Sequence, residues 1–212
     1  MKKTWIMITS IIALILIVGV LAGPVLSDVE KPDNKVIQSE QNIEIRRNEP
    51  MIIAEVEVDG KREGAIGDGF RIIADYIFGN NTVKRDIAMT APVQQQESQK
   101  IAMTAPVQQQ STGRSWQISF VMPSKYSMES LPEPNNDRVR LKEILTKKFI
   151  VIEFSGTNSN ENVTKHENQL MNYIEANNLK ITGSPKYAFY NAPWTLPFMR
   201  RNEVMIEINQ QQ

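Results

Sequence analysis

Any chemistry in this chain of 212 residues has to be done without cysteine and with one histidine, His166. The missing thiols exclude disulfides, thiolate catalysis, cysteine-ligated zinc and iron–sulfur clusters. A single imidazole excludes multi-histidine metal sites and makes His166 the one candidate for a histidine triad or an imidazole ligand to iron. It lies three residues after Val163 and four before Leu170, at the edge of an apolar helical face. A histidine there is more often packed structure than a ligand. Met89 and Met103 could also ligate iron, but at inward strand positions methionine usually fills core. Glu55, Glu57, Glu153 and Glu207 alternate outward along strand-like segments and form no acid–base pair. Nothing resembles a nucleotide loop or a nucleophile elbow. Arg200-Arg201-Asn202-Glu203 reads as a clamp for an anion or as an ion-paired lock, and the lock is the commoner use. The residues point to a binding module, not an enzyme. Lys plus Arg equals Asp plus Glu at 24 each, which argues against a nucleic-acid partner.

The elements that must position these groups are mostly strands. Period-2 alternation marks 43–46, 52–58, 116–122, 138–142, 150–154 and 204–208, so each has one buried and one wet face. Two segments change to a helical period. Ile66, Phe70, Ile73 and Ile77 share one face, with Gly79 as the stop. Gly64, Gly67 and Gly69 weaken the start of that helix, so it begins late, near Asp68, or another element approaches its backbone closely. Val163, Leu170 and Ile174 share the second face, with Tyr173 alongside, a cap at Ser159 or Asn160, and an end at Asn177-Asn178. MIIAEVEV (51–58) precedes the first helix much as FIVIEFSG (149–156) precedes the second. The order implies a duplicated unit whose two sheets share one core, with a helix against each. IAMTAPVQQQ occurs twice, at 87–96 and 101–110. The two copies read as neighbouring hairpin strands that end at Pro92 and Pro106 or lie there at an edge or bulge, and the glutamine runs read as polar loop.

Residues 1–27 stand apart. Lys2 and Lys3 precede an apolar run from Trp5 to Gly23 that as a helix reaches about 28 Å, close to a bilayer's hydrocarbon thickness. The run reads as an uncleaved membrane anchor with the lysines cytoplasmic and the rest extracytoplasmic. The alternative is a signal peptide cut after Ser27, which would release a secreted protein. Residues 28–40 read as a polar linker, 41–209 as the folded domain and 210–212 as a tail.

Five stretches in order, GFRIIADYIFGNN (69–81), the doubled IAMTAPV, FVMPSKY (120–126), LPEPNN (131–136) and PWTLPFMRRNEV (193–204), resemble the SOUL haem-binding proteins. The resemblance runs from about Ile43 to Ile208. It implies an α+β fold: a distorted antiparallel β-barrel of two pseudo-repeats flanked by two α-helices, similar to gyrase-inhibitor-like small-molecule-binding domains. It also implies haem or a related tetrapyrrole, held without catalysis in an apolar pocket. Carried over by position, the pocket falls on Phe70, Ile73, Ala74 and Ile77 of the first helix and on Pro193, Trp194, Leu196 and Phe198 of the loop before the last strand. Some relatives use basic side chains. This sequence has Gly67, Asp75 and Leu196 at those positions, and the nearest bases in sequence are Arg71, Lys84, Arg200 and Arg201. Two alternatives remain: a pocket for another apolar or cationic small molecule, and an interaction module with a vestigial pocket.

Overall fold

The computed structural model describes residues 29–83 and 98–209. Among the described residues eleven strands and two α-helices follow one another: β1 (Asn34–Glu40), β2 (Ile43–Asn48), β3 (Met51–Asp59), α1 (Arg62–Ile77), β4 (Asn81–Thr82), β5 (Val107–Ser111), β6 (Ser115–Val121), β7 (Glu133–Pro134), β8 (Arg140–Ile144), β9 (Lys148–Phe154), α2 (Asn160–Ala176), β10 (Lys186–Phe189) and β11 (Asn202–Ile208). Nine strands form one antiparallel sheet in the order β1-β2-β9-β11-β10-β5-β6-β3-β8, and β4 pairs with β7. The expected α+β class holds, as a curled half-barrel with two helices.

The order contains its own reason for curling. Strands β2 and β3 are joined by Glu49-Pro50, yet stand second and eighth in the sheet. Six strand spacings on a flat sheet are about 29 Å, and two linking residues reach only about 10 Å. Strands β8 and β9 impose the same demand through residues 145–147. The sheet must roll until its two ends approach each other. The same pattern exposes the duplication: β2-β3-α1-β5-β6 and β8-β9-α2-β10-β11 are equivalent, but each first strand pairs with the other repeat, β2 on β9 and β8 on β3. Strands β5 and β10 meet at the centre.

The two sheets with one shared core become one sheet with two cores. Ala54, Val56, Val58, Ile118 and Phe120 pack with Ile73, Tyr76 and Ile77 of α1. Ile150, Ile152, Phe154, Val204, Ile206 and Ile208 pack with Val163, Leu170 and Ile174 of α2. Ile66 and Trp116 touch both clusters. Each helix covers its own repeat because each has a single apolar stripe. The repeats are tied at the helix starts by the buried Arg62, whose Nε donates to Asn160 Oδ1 at 2.6 Å and whose Nη2 donates to the Asn158 carbonyl at 2.5 Å.

One open choice is decided and three expectations change. Helix α1 begins at Arg62, not near Asp68. A Cβ on Gly64 or Gly67 would meet nothing within 4 Å, while one on Gly69 would fall 2.4 Å from Ile118 Cγ1. The close approach therefore occurs at Gly69 alone. The stretch expected as a linker contains β1, paired antiparallel with β2. All seven of its residues are exposed, and an edge strand with no buried face carries no alternation to read. The second decapeptide copy is irregular until Val107, and its glutamines form β5, between β6 and β10. Gln109 is 0% exposed. Its Nε2 donates to the Arg62 carbonyl at 2.8 Å, which lets an amide occupy a core position. The first copy, and with it the hairpin expectation and Met89, lies outside the described residues. So do residues 1–27. Among the described residues no helix is long and apolar enough to cross a membrane.

Candidate functional site

Helix α1 presents its apolar stripe to the sheet, so three of its four expected pocket residues are core. Ile73, Ala74 and Ile77 are buried, and Ile73 and Ile77 pack against β3 and β6 residues. Phe70 is half-buried, with its ring centroid 5.5 Å from that of Phe120. The loop before β11 does the opposite. Trp194 is 68% exposed and Phe198 73%, Pro193 is exposed and Leu196 half-buried. None of the eight lines the three best-formed clefts among the described residues.

The loop shows its aromatics from a fixed frame. Arg200 turns back on it: Nε donates to the Thr195 carbonyl at 2.6 Å and Nη2 to the Pro193 carbonyl at 2.5 Å. Gly156 N donates to the Pro197 carbonyl at 2.8 Å, and Arg201 N to Asn191 Oδ1 at 2.7 Å. A 3-10 turn over Pro197–Met199 separates Leu196 from Arg200. Thr195, between the displayed residues, is buried, and its hydroxyl has no partner among the described residues. Exposed aromatics on a braced loop suit the face of a flat apolar ligand, because little ordering remains to oppose binding.

Three of the four basic residues nearest in sequence, Arg71, Arg200 and Arg201, are engaged by other groups. Arg201 pairs with Glu203 at 2.5 Å and with Glu153 at 3.1 Å, and its guanidinium lies 4.4 Å from the Tyr190 ring centroid. Arg71 is paired with Asp68. Lys84 lies outside the described residues. The Arg200–Glu203 cluster is thus a lock, as the commoner use of such clusters suggests. Glu203 is its centre and is fully buried. It accepts from Arg46 Nη1 at 2.9 Å, from Arg201 and from Tyr190 Oη at 2.9 Å. Burial pulls the Arg46 pKa down, but Glu203 and Glu44 more than offset this, so the net shift is upward. Burial first, and then the Glu203 charge, push the Tyr190 hydroxyl above the usual phenol range.

This lock stands on the sheet face opposite the helices, since Val204 and Ile206 face α2 and Glu203 alternates with them. Arg46 of β2, Ile53 of β3 and Ile144 of β8 line one cleft there with Lys186 and Met205. Strands distant in the sheet order meet across it, so the helix-free face is the inside of the curl. That cleft measures only about 40 Å³.

His166 is held on α2. Its ring stacks on Phe154 with centroids 4.1 Å apart and a 9° interplanar angle. Nδ1 lies 2.7 Å from the Asn162 carbonyl, which can only accept, so the proton sits on Nδ1. Met103 is half-buried in the irregular stretch before β5. Among the described residues no group of three or more His, Asp or Glu side chains is placed to hold a metal ion.

Residues 29–207 match the family described as SOUL heme-binding protein. The chain belongs to the SOUL heme-binding protein family. Solved structures agree on the fold. The C-terminal domain of EcmrR superposes with a TM-score of 0.56 at 10% identity, over 79% of this chain and 96% of that one. An uncharacterized conserved protein from Listeria innocua gives 0.52 at 14% identity, over 80% and 93%. A Listeria innocua protein described as a hydrolase gives 0.51 at 12%, over 82% and 94%. At such identities these likenesses concern the fold alone. No curated protein matches the chain.

Proposed function

We propose that this SOUL protein is a non-catalytic carrier of haem or a related tetrapyrrole, which it takes up by apolar contact with the 193–199 loop. The observation that carries the reading is the exposure of Trp194 and Phe198 on a loop braced by Arg200. Leu196, half-buried on the same loop, offers further apolar surface. Bound haem would bring a flat apolar macrocycle and an iron atom. The side chains at this face fit the macrocycle, and they include no histidine to ligate the iron. Affinity then comes from burial at about 25 cal/mol per Å², offset by the cost of association, and falls in the micromolar range.

Titrating the full chain with haem, and separately with iron-free porphyrin, tests this. Both are expected to bind with similar affinity. Trp194→Ala and Phe198→Ala should each weaken binding by roughly 1–3 kcal/mol, the scale of one lost buried side chain. His166→Ala should leave affinity and the Soret band unchanged, because its ring is engaged with Phe154 and Asn162. Failure of both ligands to bind, or loss of the Soret shift in His166→Ala alone, would reject the reading.

We also infer that residues 1–27 anchor the domain outside the cytoplasm, from the length of the apolar run and the lysines before it. The protein should sediment with membranes and resist carbonate extraction. A soluble mature protein beginning at Asp28 would show a cleaved signal instead.

A further inference from the structure

The alternation of β5 and β10 decides which side chains face into the curl. Gln109 Nε2 donates to the Arg62 carbonyl of α1, and Tyr187 Oη donates to Glu167 of α2 at 2.8 Å. Both therefore face the helices, and their neighbours Gln108 and Lys186 face the inside. The two strands pair with Gln108 opposite Ala188 and Gln110 opposite Lys186. Gln108 and Lys186 are thus diagonal neighbours on one face. Both line the cleft of about 40 Å³ beside the Arg46–Glu203 lock, whose apolar walls include Met51, Ile53, Phe149 and Met205. That volume is about three times the least that holds one water.

Two polar groups in this cleft lack partners. Gln108 is 8% exposed, yet unlike Gln109 its amide enters no hydrogen bond among the described residues. Such a group costs stability that a ligand would return. Lys186 Nζ lies 5.9 Å from the Phe149 ring centroid and enters no ion pair among the described residues. The carboxylates that attract it from a distance, Glu207 and Glu55, are engaged by Lys147 at 2.7 Å and by Gln117, while Lys147 and Lys142 repel it. Burial first, and then the Lys147 charge, pull the Lys186 ammonium below the usual lysine range. The other charges of the lining, Arg46 and Glu203, pair with each other, so one positive charge is left over. We propose that this cleft binds a short-chain carboxylate of about the size of acetate, its oxygens on the Lys186 ammonium and the Gln108 amide N–H and its alkyl end on Ile53 and Met205. An organic cation would meet a like charge there. No residue of the 193–199 loop lines the cleft, so the site is separate from the haem reading and does not depend on it.

Acetate and acetamide share a shape and differ in charge. Saturation-transfer NMR on the full chain in detergent micelles is expected to show saturable acetate binding near the millimolar range, the scale open to so few atoms. Acetamide should bind at least about tenfold more weakly. Chloride at equal ionic strength should compete at least about tenfold more weakly than acetate, because it cannot bridge two donors and fill the apolar end. Lys186→Met keeps an unbranched chain and should lose at least about tenfold in acetate affinity. Gln108→Leu should lose about threefold to tenfold, the scale of one hydrogen bond. Lys186→Met should melt no lower than the parent, because it removes an uncompensated charge, and the melting temperature checks the fold of both variants. No saturable acetate binding, equal binding of acetate and acetamide, displacement by chloride at equal affinity, or parental acetate affinity in either variant would overturn the proposal.

Discussion

Glu203→Ala is expected to cost about 3–5 kcal/mol of folding stability, the usual penalty for removing one partner of a buried ion pair. Glu203 has 0% side-chain exposure and its partner Arg46 8%. The deletion would strand a guanidinium that cannot shed its proton. It would also leave the buried hydroxyl of Tyr190 and the Nη2 of Arg201 without their acceptor. The loss amounts to a large share of the 5–15 kcal/mol that holds a typical domain together, and to a melting-point drop of about 10 °C or more at this size. Urea denaturation checks it: the midpoint should fall with little change in slope. The double replacement Arg46→Met, Glu203→Met should recover much of the loss, because an apolar pair needs no charge compensation. A fall below about 1 kcal/mol in the single variant would mean that water reaches the lock.

The three early glycines of α1 are expected to split in sign. Gly69→Ala should destabilise by about 3 kcal/mol, the upper end of the usual overpacking cost. The new Cβ would fall 2.4 Å from Ile118 Cγ1 and 2.6 Å from its Cβ, and Ile118 is buried in the core with no room to retreat. Gly64→Ala and Gly67→Ala should each stabilise by about 0.5–1 kcal/mol, because their Cβ atoms meet nothing and alanine limits the unfolded chain. Denaturation midpoints of the three single variants settle the matter. Three shifts of the same sign would show that helix propensity, and not the contact with β6, governs this face.

Strands β2, β3, β6, β9 and β11 were legible because each carries a row of core residues alternating with polar ones, and β8 was legible from Leu141, half-buried against the first core. Both helices were legible from their stripes, and the second also from its cap: Ser159 Oγ accepts from Asn162 N at 3.4 Å. Strand β1 was hidden because both of its faces are wet. Strand β5 was hidden because glutamine, polar in any count, can be buried once its amide is paired. The sequence named a helix face and a loop for the candidate site, and the structure treats the two differently. Trp194 and Phe198 do stand free, whereas Ile73, Ala74 and Ile77 are consumed by the core. Their helical spacing is that of any packed stripe, so periodicity could not separate lining from core.

By itself, the sequence determined what depends on residue type and local period: a chain without thiol chemistry, one histidine, alternating strands, two striped helices and a duplicated order. Five ordered stretches determined the family. Only the tertiary structure decided what depends on residues distant in the chain meeting in space. Two short connectors roll nine strands into a half-barrel. That roll brings Arg46 against Glu203, 157 positions later, and it sets Ile53 and Phe149 with Lys186 and Gln108 around one cleft. Such pairings leave no local mark, because nothing in the period of one strand states which strand lies beside it or across from it.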